Sequence, residues 1–234
     1  GLISEMALLE LADTNNTLLR ELAQKAPGTF QHSMQVANLA EECALEIGGD
    51  PLLIRTGALY HDIGKMKNPQ FFIENQAGGH NPHNDLSNHE SAKVIINHVL
   101  DGIEMAKRHK IPEKIIDFIR THHGTTTARY FYLNAKKLDD SVSIQDFQYP
   151  GPLPFSKETA ILMLCDGVEA AARSLPVYTA ESINKLIDGI FETILNSQQL
   201  DYSPITFQNI SALKKLLQKK IMNIYHVRVA YPSA

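Results

Sequence analysis

Cysteine is scarce: Cys43 and Cys165 are the two in 234 residues. Both lie in apolar, helix-like sequence. They build no disulfide framework and read as buried free thiols, which suits a reducing compartment. No run approaches the ~20 apolar residues that cross a bilayer, and no signal peptide is visible at the start. Neither charge dominates. A formal net charge of −4 argues against a nucleic-acid polymer as partner, because the expected footprint of such binding is a basic stripe. Strand-like alternation of useful length is missing, as are internal repeats and low-complexity tracts. What is present is ordinary for a folded soluble domain, with 44% hydrophobic and 21% charged residues in a length that can bury a sizeable core. The chain opens on Gly1, straight into helical sequence. We read it as a domain excised from a longer protein, with any membrane segments lying outside it.

Helical periodicity runs almost throughout. Residues 2–25 carry Leu2, Met6, Leu9, Leu18 and Leu22 at helical spacing, and Pro27-Gly28 closes that segment. We expect residues 1–26 to be a linker helix that packs on the body or on a second copy, and residues 27–234 to be the main domain. A homodimer is compatible with this. Residues 31–47 repeat the pattern until Gly48-Gly49. Asp50-Pro51 then restarts a helix as N-cap and first residue, reaching about Asp62. Residues 64–88, rich in Gly, Pro and Asn, predict a long polar loop with a short helical turn over Gln70–Asn75. Further helices are expected over 87–110, from Pro112-Glu113 to His122, and over 157–174, 179–197 and 207–224, with 124–156 mixed. The fold class is all-α.

The chemistry lies in polar residues on apolar faces. His32 shares a helix face with Val36 and Leu39, His98 with Val94 and Ile95, His122 with Ile115, Phe118 and Ile119, and Asp166 with Leu162, Met163 and Ala170. A single inward histidine is usually a hydrogen-bonded core residue. Several buried without partners would cost about a few kcal/mol each. Four helices with an inward His or Asp therefore imply a shared partner. A metal satisfies imidazoles and carboxylates together. Two adjacent pairs, His61-Asp62 and His122-His123, fall at helix ends. Asp62 is the natural bridge between two ions, having two oxygens to share.

The segment His61-Asp62-Ile63-Gly64-Lys65, with His32 upstream and Asp166 downstream, resembles the HD-superfamily phosphohydrolases. The additional His98 and His122-His123 resemble the subset that holds two metals. His98 is preferred over His89 because Gly102 follows it at i+4 and the His122-His123 pair lies at the family's spacing. A closer resemblance, over about residues 28–175, is to the membrane-anchored 7TM-HD phosphodiesterases of the PgpH type. Its residues are Gly78-Gly79-His80-Asn81-Pro82-His83-Asn84, His89-Glu90-Ser91-Ala92, Phe147-Gln148-Tyr149-Pro150-Gly151-Pro152 and Leu164-Cys165-Asp166-Gly167-Val168-Glu169-Ala170-Ala171. Cys165 and Gly167 depart from the family's Ala-Asp-Ser form but leave Asp166 in place. The related group that hydrolyses cyclic di-GMP carries Gly-Tyr-Pro after the histidine pair; here that region reads Gly124-Thr125-Thr126-Thr127-Ala128.

The resemblance implies an HD-domain helical bundle with two divalent ions in its core, iron or manganese first and zinc second. It implies hydrolysis of cyclic di-AMP to linear 5'-pApA by a water that the two metals activate. It also implies a cytoplasmic domain of a bacterial integral membrane protein. One ion falls to His32, His61, Asp62 and Asp166, the other to Asp62, His98, His122 and His123. Lys65 is placed for a phosphate oxygen. His80, Asn81, His83 and Asn84 on the long loop, and Arg129, are candidate substrate contacts. For Arg129-Tyr130-Phe131-Tyr132 as a group, core packing weighs above a platform for a base. Lys214-Lys215 and Lys219-Lys220 read as a solvated helix face. The alternatives are a cyclic di-GMP or other nucleotide phosphohydrolase, and a metal-bound nucleotide sensor without turnover.

Overall fold

The computed structural model describes residues 3–76 and 78–226. Ten α-helices are seen: α1 (Glu5–Ala12), α2 (Thr17–Lys25), α3 (Pro27–Ile47), α4 (Pro51–Tyr60), α5 (Asn88–Arg108), α6 (Glu113–Thr121), α7 (Arg129–Leu138), α8 (Lys157–Ala172), α9 (Ala180–Asn196) and α10 (Phe207–His226). Among the described residues there is no strand, and one isolated antiparallel bridge pairs Thr127 with Gln148. No described helix is long and apolar enough to cross a membrane.

The segment expected as a single linker helix is two helices. Asp13 accepts from the Asn15 N–H at 2.9 Å, and the Asn16 side chain accepts from the Leu18 N–H at 3.1 Å. These local bonds compete with the helix ladder, so the first helix stops and a second begins. Leu8, Leu18, Leu19 and Leu22 are buried in the same core as α3 and α4. Pro27 is not a terminator but the first residue of α3, where its missing N–H has no partner to lose.

The central helix α3 packs against α2, α4, α8 and α10. Cys43 on α3 and Cys165 on α8 are buried free thiols with sulfurs 3.7 Å apart. The long loop condenses into 3₁₀ turns over Ile63–Lys67, Pro69–Phe71, Ile73–Asn75 and Pro82–Asp85. Asn75 pins it to the first turn of α3, accepting from the Thr29 N–H at 3.0 Å and donating to Thr29 Oγ1 at 2.9 Å. Gly64 lets the turn after the His61-Asp62 pair lie directly on α5. A Cβ there would sit 1.8 Å from the His98 carbonyl oxygen and 2.5 Å from the Gly102 nitrogen.

Ser87 and Glu90 start α5 with a reciprocal capping box. Helix α7 lies inside the 124–156 stretch of mixed sequence character. Its Phe131 and Tyr132 pack on a small cluster of Ala92, Ala135 and Phe147. Tyr130 stays exposed. On α10, Lys214 pairs with Asp188 and Lys220 with Glu42, so part of the basic face is neutralised by neighbours.

Candidate metal centre

Five elements converge in the middle of the bundle. Helix α3 brings His32, the end of α4 brings His61 and Asp62, α5 brings His98, the end of α6 brings His122 and His123, and α8 brings Asp166. All are buried except His123, which is half-buried at the rim. His89 is exposed, its ring packed 4.7 Å from that of Phe147; His98 stands beside Asp62.

Three imidazoles are held alike. The Nδ1–H of His61 donates to the Ala58 carbonyl at 2.6 Å, that of His98 to Ile95 at 2.5 Å and that of His122 to Ile119 at 2.8 Å. Each bond runs to a carbonyl three residues earlier, which fixes the tautomer and leaves the Nε2 lone pair able to bind a cation. His32 is the exception: its Nδ1 is bonded to the Glu169 carboxylate.

Asp62 sits between two groups of imidazoles. Its Oδ2 lies 3.3 Å from His61 Nε2 and 3.7 Å from His32 Nε2, while its Oδ1 lies 3.2 Å from His98 Nε2 and 3.5 Å from His122 Nε2. Asp166 Oδ1 is 2.8 Å from His32 Nε2 and 3.5 Å from His61 Nε2. Three sets of possible donors lie within 4.8 Å of one another: His32, His61 and Asp166; His61, Asp62 and His122; and His98, His122 and His123. The His123 ring stacks on Tyr149, centroids 4.1 Å apart.

The donor chemistry fits divalent cations. His61 Nε2 and Asp62 Oδ1 are buried with no hydrogen-bond partner, an arrangement that costs about 1–3 kcal/mol per group unless something else satisfies it. The Nε2 atoms of His98 and His122 are 3.2 Å apart with both Nδ1 positions engaged on carbonyls, so two lone pairs converge on one point. Nitrogen and carboxylate oxygen without thiolate suit iron, manganese or zinc.

The field is sharply graded. Burial pushes the Asp62 carboxyl up, but the Lys65 ammonium and His61 overcome it and hold Asp62 well below the usual carboxylate range. Burial likewise opposes Asp166, which His32 and His61 hold well below that range. Burial disfavours the His61 cation, yet Asp62 and Asp166 raise it to about 10. Burial, with His122 and His98 adding to it, drives His123 well below the usual histidine range. Lys65 donates to Asp62 Oδ2 at 2.7 Å and to Glu74 Oε1 at 2.9 Å. Although burial works against its charge, those carboxylates keep it protonated.

A cavity of about 340 Å³ opens over the cluster, lined by His32, Lys65, Ile73, Glu74, His123, Asp166, Ala170, Arg173 and Ser174. Lys65 is the one candidate substrate contact that it contains. His80 pairs with Asp85 on the exposed loop. Asn81 accepts from the His83 N–H at 3.1 Å and caps a 3₁₀ turn. His83 donates to the Phe71 carbonyl at 2.9 Å and packs between Phe71 and Phe131. Asn84 and Arg129 are exposed. None of these five lines the cavity. Glu74, Glu169, Arg173 and the Tyr149 ring, which do shape the site, were not among the candidates. Glu169 had a local signal, lying one turn after Asp166 on the same helix face; Glu74 had none.

The HD domain model matches residues 29–171, a span that takes in all seven clustered side chains. The chain belongs to the HD domain family. Two relatives are named cyclic-di-AMP phosphodiesterase PgpH. That of Bacillus subtilis is 43% identical over 234 residues, covering 100% of this chain and 33% of the relative. That of Listeria monocytogenes is 44% identical over 232 residues, covering 99% and 32%. This HD domain chain therefore spans about a third of the length of the curated relatives it matches. It also superposes on the crystal structure of the L. monocytogenes PgpH HD domain in complex with cyclic-di-AMP. The TM-score is 0.87 and the identity 44%, over 92% of this chain and 99% of that one.

Proposed function

We propose that this HD domain hydrolyses cyclic di-AMP to linear 5'-pApA, using His32, His61, Asp62, Asp166, His98, His122 and His123 to hold two divalent ions. One observation carries the reading: the two oxygens of Asp62 face two separate imidazole groups, in a domain 44% identical to one solved with cyclic-di-AMP. Ions held there would neutralise phosphate charge and lower the pKa of a water. The chain's own residues do the rest. Lys65 keeps Asp62 ionised. Tyr149 backs the His123 ring. Hydrolysis adds one water across one phosphodiester, breaking a P–O3' bond and leaving a 5'-phosphate. Iron or manganese is the proposed pair, and the domain is proposed to lie on the cytoplasmic side of a bacterial membrane protein.

The test is a hydrolysis panel on protein reconstituted with Mn²⁺ or Fe²⁺, with metal content measured alongside. Two ions per chain and preferential cleavage of cyclic di-AMP to 5'-pApA are expected. Preference for cyclic di-GMP or mononucleotides overturns the substrate. Fewer than two ions after reconstitution overturns the paired site. Tight binding of the nucleotide without turnover identifies a sensor.

A further inference from the structure

Two cations line the cavity, and they differ in what is left of their hydrogen-bonding capacity. Lys65 is held between two carboxylates, Asp62 and Glu74, at 2.7 and 2.9 Å. Arg173, at the C-terminal end of α8, donates its Nε–H to Glu169 Oε1 at 2.6 Å. No partner for its terminal nitrogens is seen among the described residues, and its side chain is 32% exposed at the cavity wall. Glu169 is buried, and its second oxygen is bonded to His32 Nδ1. The guanidinium is therefore tethered at one edge, with its other N–H groups left to a ligand. This is the geometry in which an arginine grips a phosphate.

Its position says which phosphate. Between the guanidinium and the Nε2 face of His32 stand one carboxylate and one imidazole. Seven residues of helix, about 10 Å of rise, separate Asp166 from Arg173 along α8. Arg173 and Asp166 thus line one cavity at positions seven residues apart on α8, room for a ligand whose groups reach both. We propose that Arg173 is a phosphate-binding residue for the second, uncleaved phosphodiester of the substrate, held in place by Glu169. This rests on the cyclic dinucleotide reading and adds to it a reason why a ligand with two phosphates is favoured over one with a single phosphate.

The experiment compares cyclic di-AMP with bis(p-nitrophenyl) phosphate, which has one phosphodiester, on Mn²⁺-loaded wild type, Arg173→Gln and Arg173→Lys. Metal content and thermal unfolding are measured on each. Loss of a charge-assisted contact predicts that Arg173→Gln raises KM for cyclic di-AMP about ten- to hundredfold. KM for the single diester should rise at least several-fold less, with two ions retained. Arg173→Lys should fall between, because it keeps the charge without the planar fork. Equal changes for both substrates, or none for either, overturn the inference. If Arg173→Gln loses metal or folding, Arg173→Lys decides alone by the same ratio. Wild type that cleaves the single diester and leaves cyclic di-AMP intact refutes the parent reading instead.

Discussion

A carboxylate can only accept hydrogen bonds, and Glu169 faces two donors, His32 Nδ1 and Arg173 Nε. An amide in its place has one oxygen and one NH₂, so one donor must face another donor. Glu169→Gln is therefore expected to loosen His32 and weaken metal affinity about ten- to hundredfold, the usual cost of losing such a partner. Metal titration of the refolded or native variant reads this directly; affinity within twofold of wild type would show that the contact is incidental. His98 and His89 provide a second contrast. His98→Ala removes an Nε2 that lies 3.2 Å from Asp62 and should lower metal content by one ion per chain, whereas His89→Ala should leave two. The reverse pattern would move the ligand set. At this scale the sequence spoke clearly about first contacts, because inward His and Asp residues stand out against an apolar helix face. For Glu169 it offered only a place one turn after Asp166, since its role comes from His32, 137 positions away. His80, Asn81, His83 and Asn84, candidate substrate contacts by their polarity, do not line the cavity over the cluster. Polarity is the default condition of a surface loop, and His80, Asn81 and His83 each bond to a residue of that loop.

Helix positions followed from periodicity and punctuation, with differences where caps outweighed it. Asp13 and Asn16 split the first segment, and α7 was hidden because Arg129–Leu138 presents its apolar side to a small satellite cluster rather than the main core. The element most consequential for the site is the 3₁₀ turn Ile63–Lys67, which carries the chain from Asp62 across α5. Gly64 is there because any Cβ would meet backbone, 1.8 Å from the His98 carbonyl oxygen. Backbone cannot swing aside as a side chain does. Gly64→Ala should therefore push α5 away, lower stability by about 1–3 kcal/mol or more, and pull His98 from Asp62. Urea unfolding and metal content measure the two effects together. Gly102→Ala is the comparison: its Cβ would meet an Ile119 methyl at 2.9 Å and the Gly64 nitrogen at 3.3 Å, milder approaches than 1.8 Å, so its loss should be smaller. Equal effects from both substitutions would show that the close backbone contact is not what the glycine serves.

For the whole molecule, the open question is whether the first 25 residues are an appendage or part of the domain. A linker that merely leads into the domain would leave the remainder stable when removed. The packing argues otherwise. Leu8, Leu18, Leu19 and Leu22 are all but inaccessible, and each buried leucine contributes about 1.5–3 kcal/mol. Tyr60, two residues before Asp62, donates its hydroxyl to the Leu11 carbonyl at 2.9 Å; without α1 that hydroxyl and the apolar face of α4 would meet water. What counts on removal is the apolar face of α3 and α4 left uncovered, set against the ordering entropy that the removed residues no longer cost; the net loss is about a few kcal/mol, a large share of a domain's stability. At about 2–4 °C per kcal/mol for a chain of this size, a fragment of residues 27–234 should melt roughly 5–15 °C below the full chain. Because His61 is the C-cap of α4, the fragment should also bind metal more weakly than its ligand count predicts. Calorimetry and metal titration of the two lengths decide the matter: matching transitions and matching affinities would make α1 and α2 an accessory to a domain complete without them.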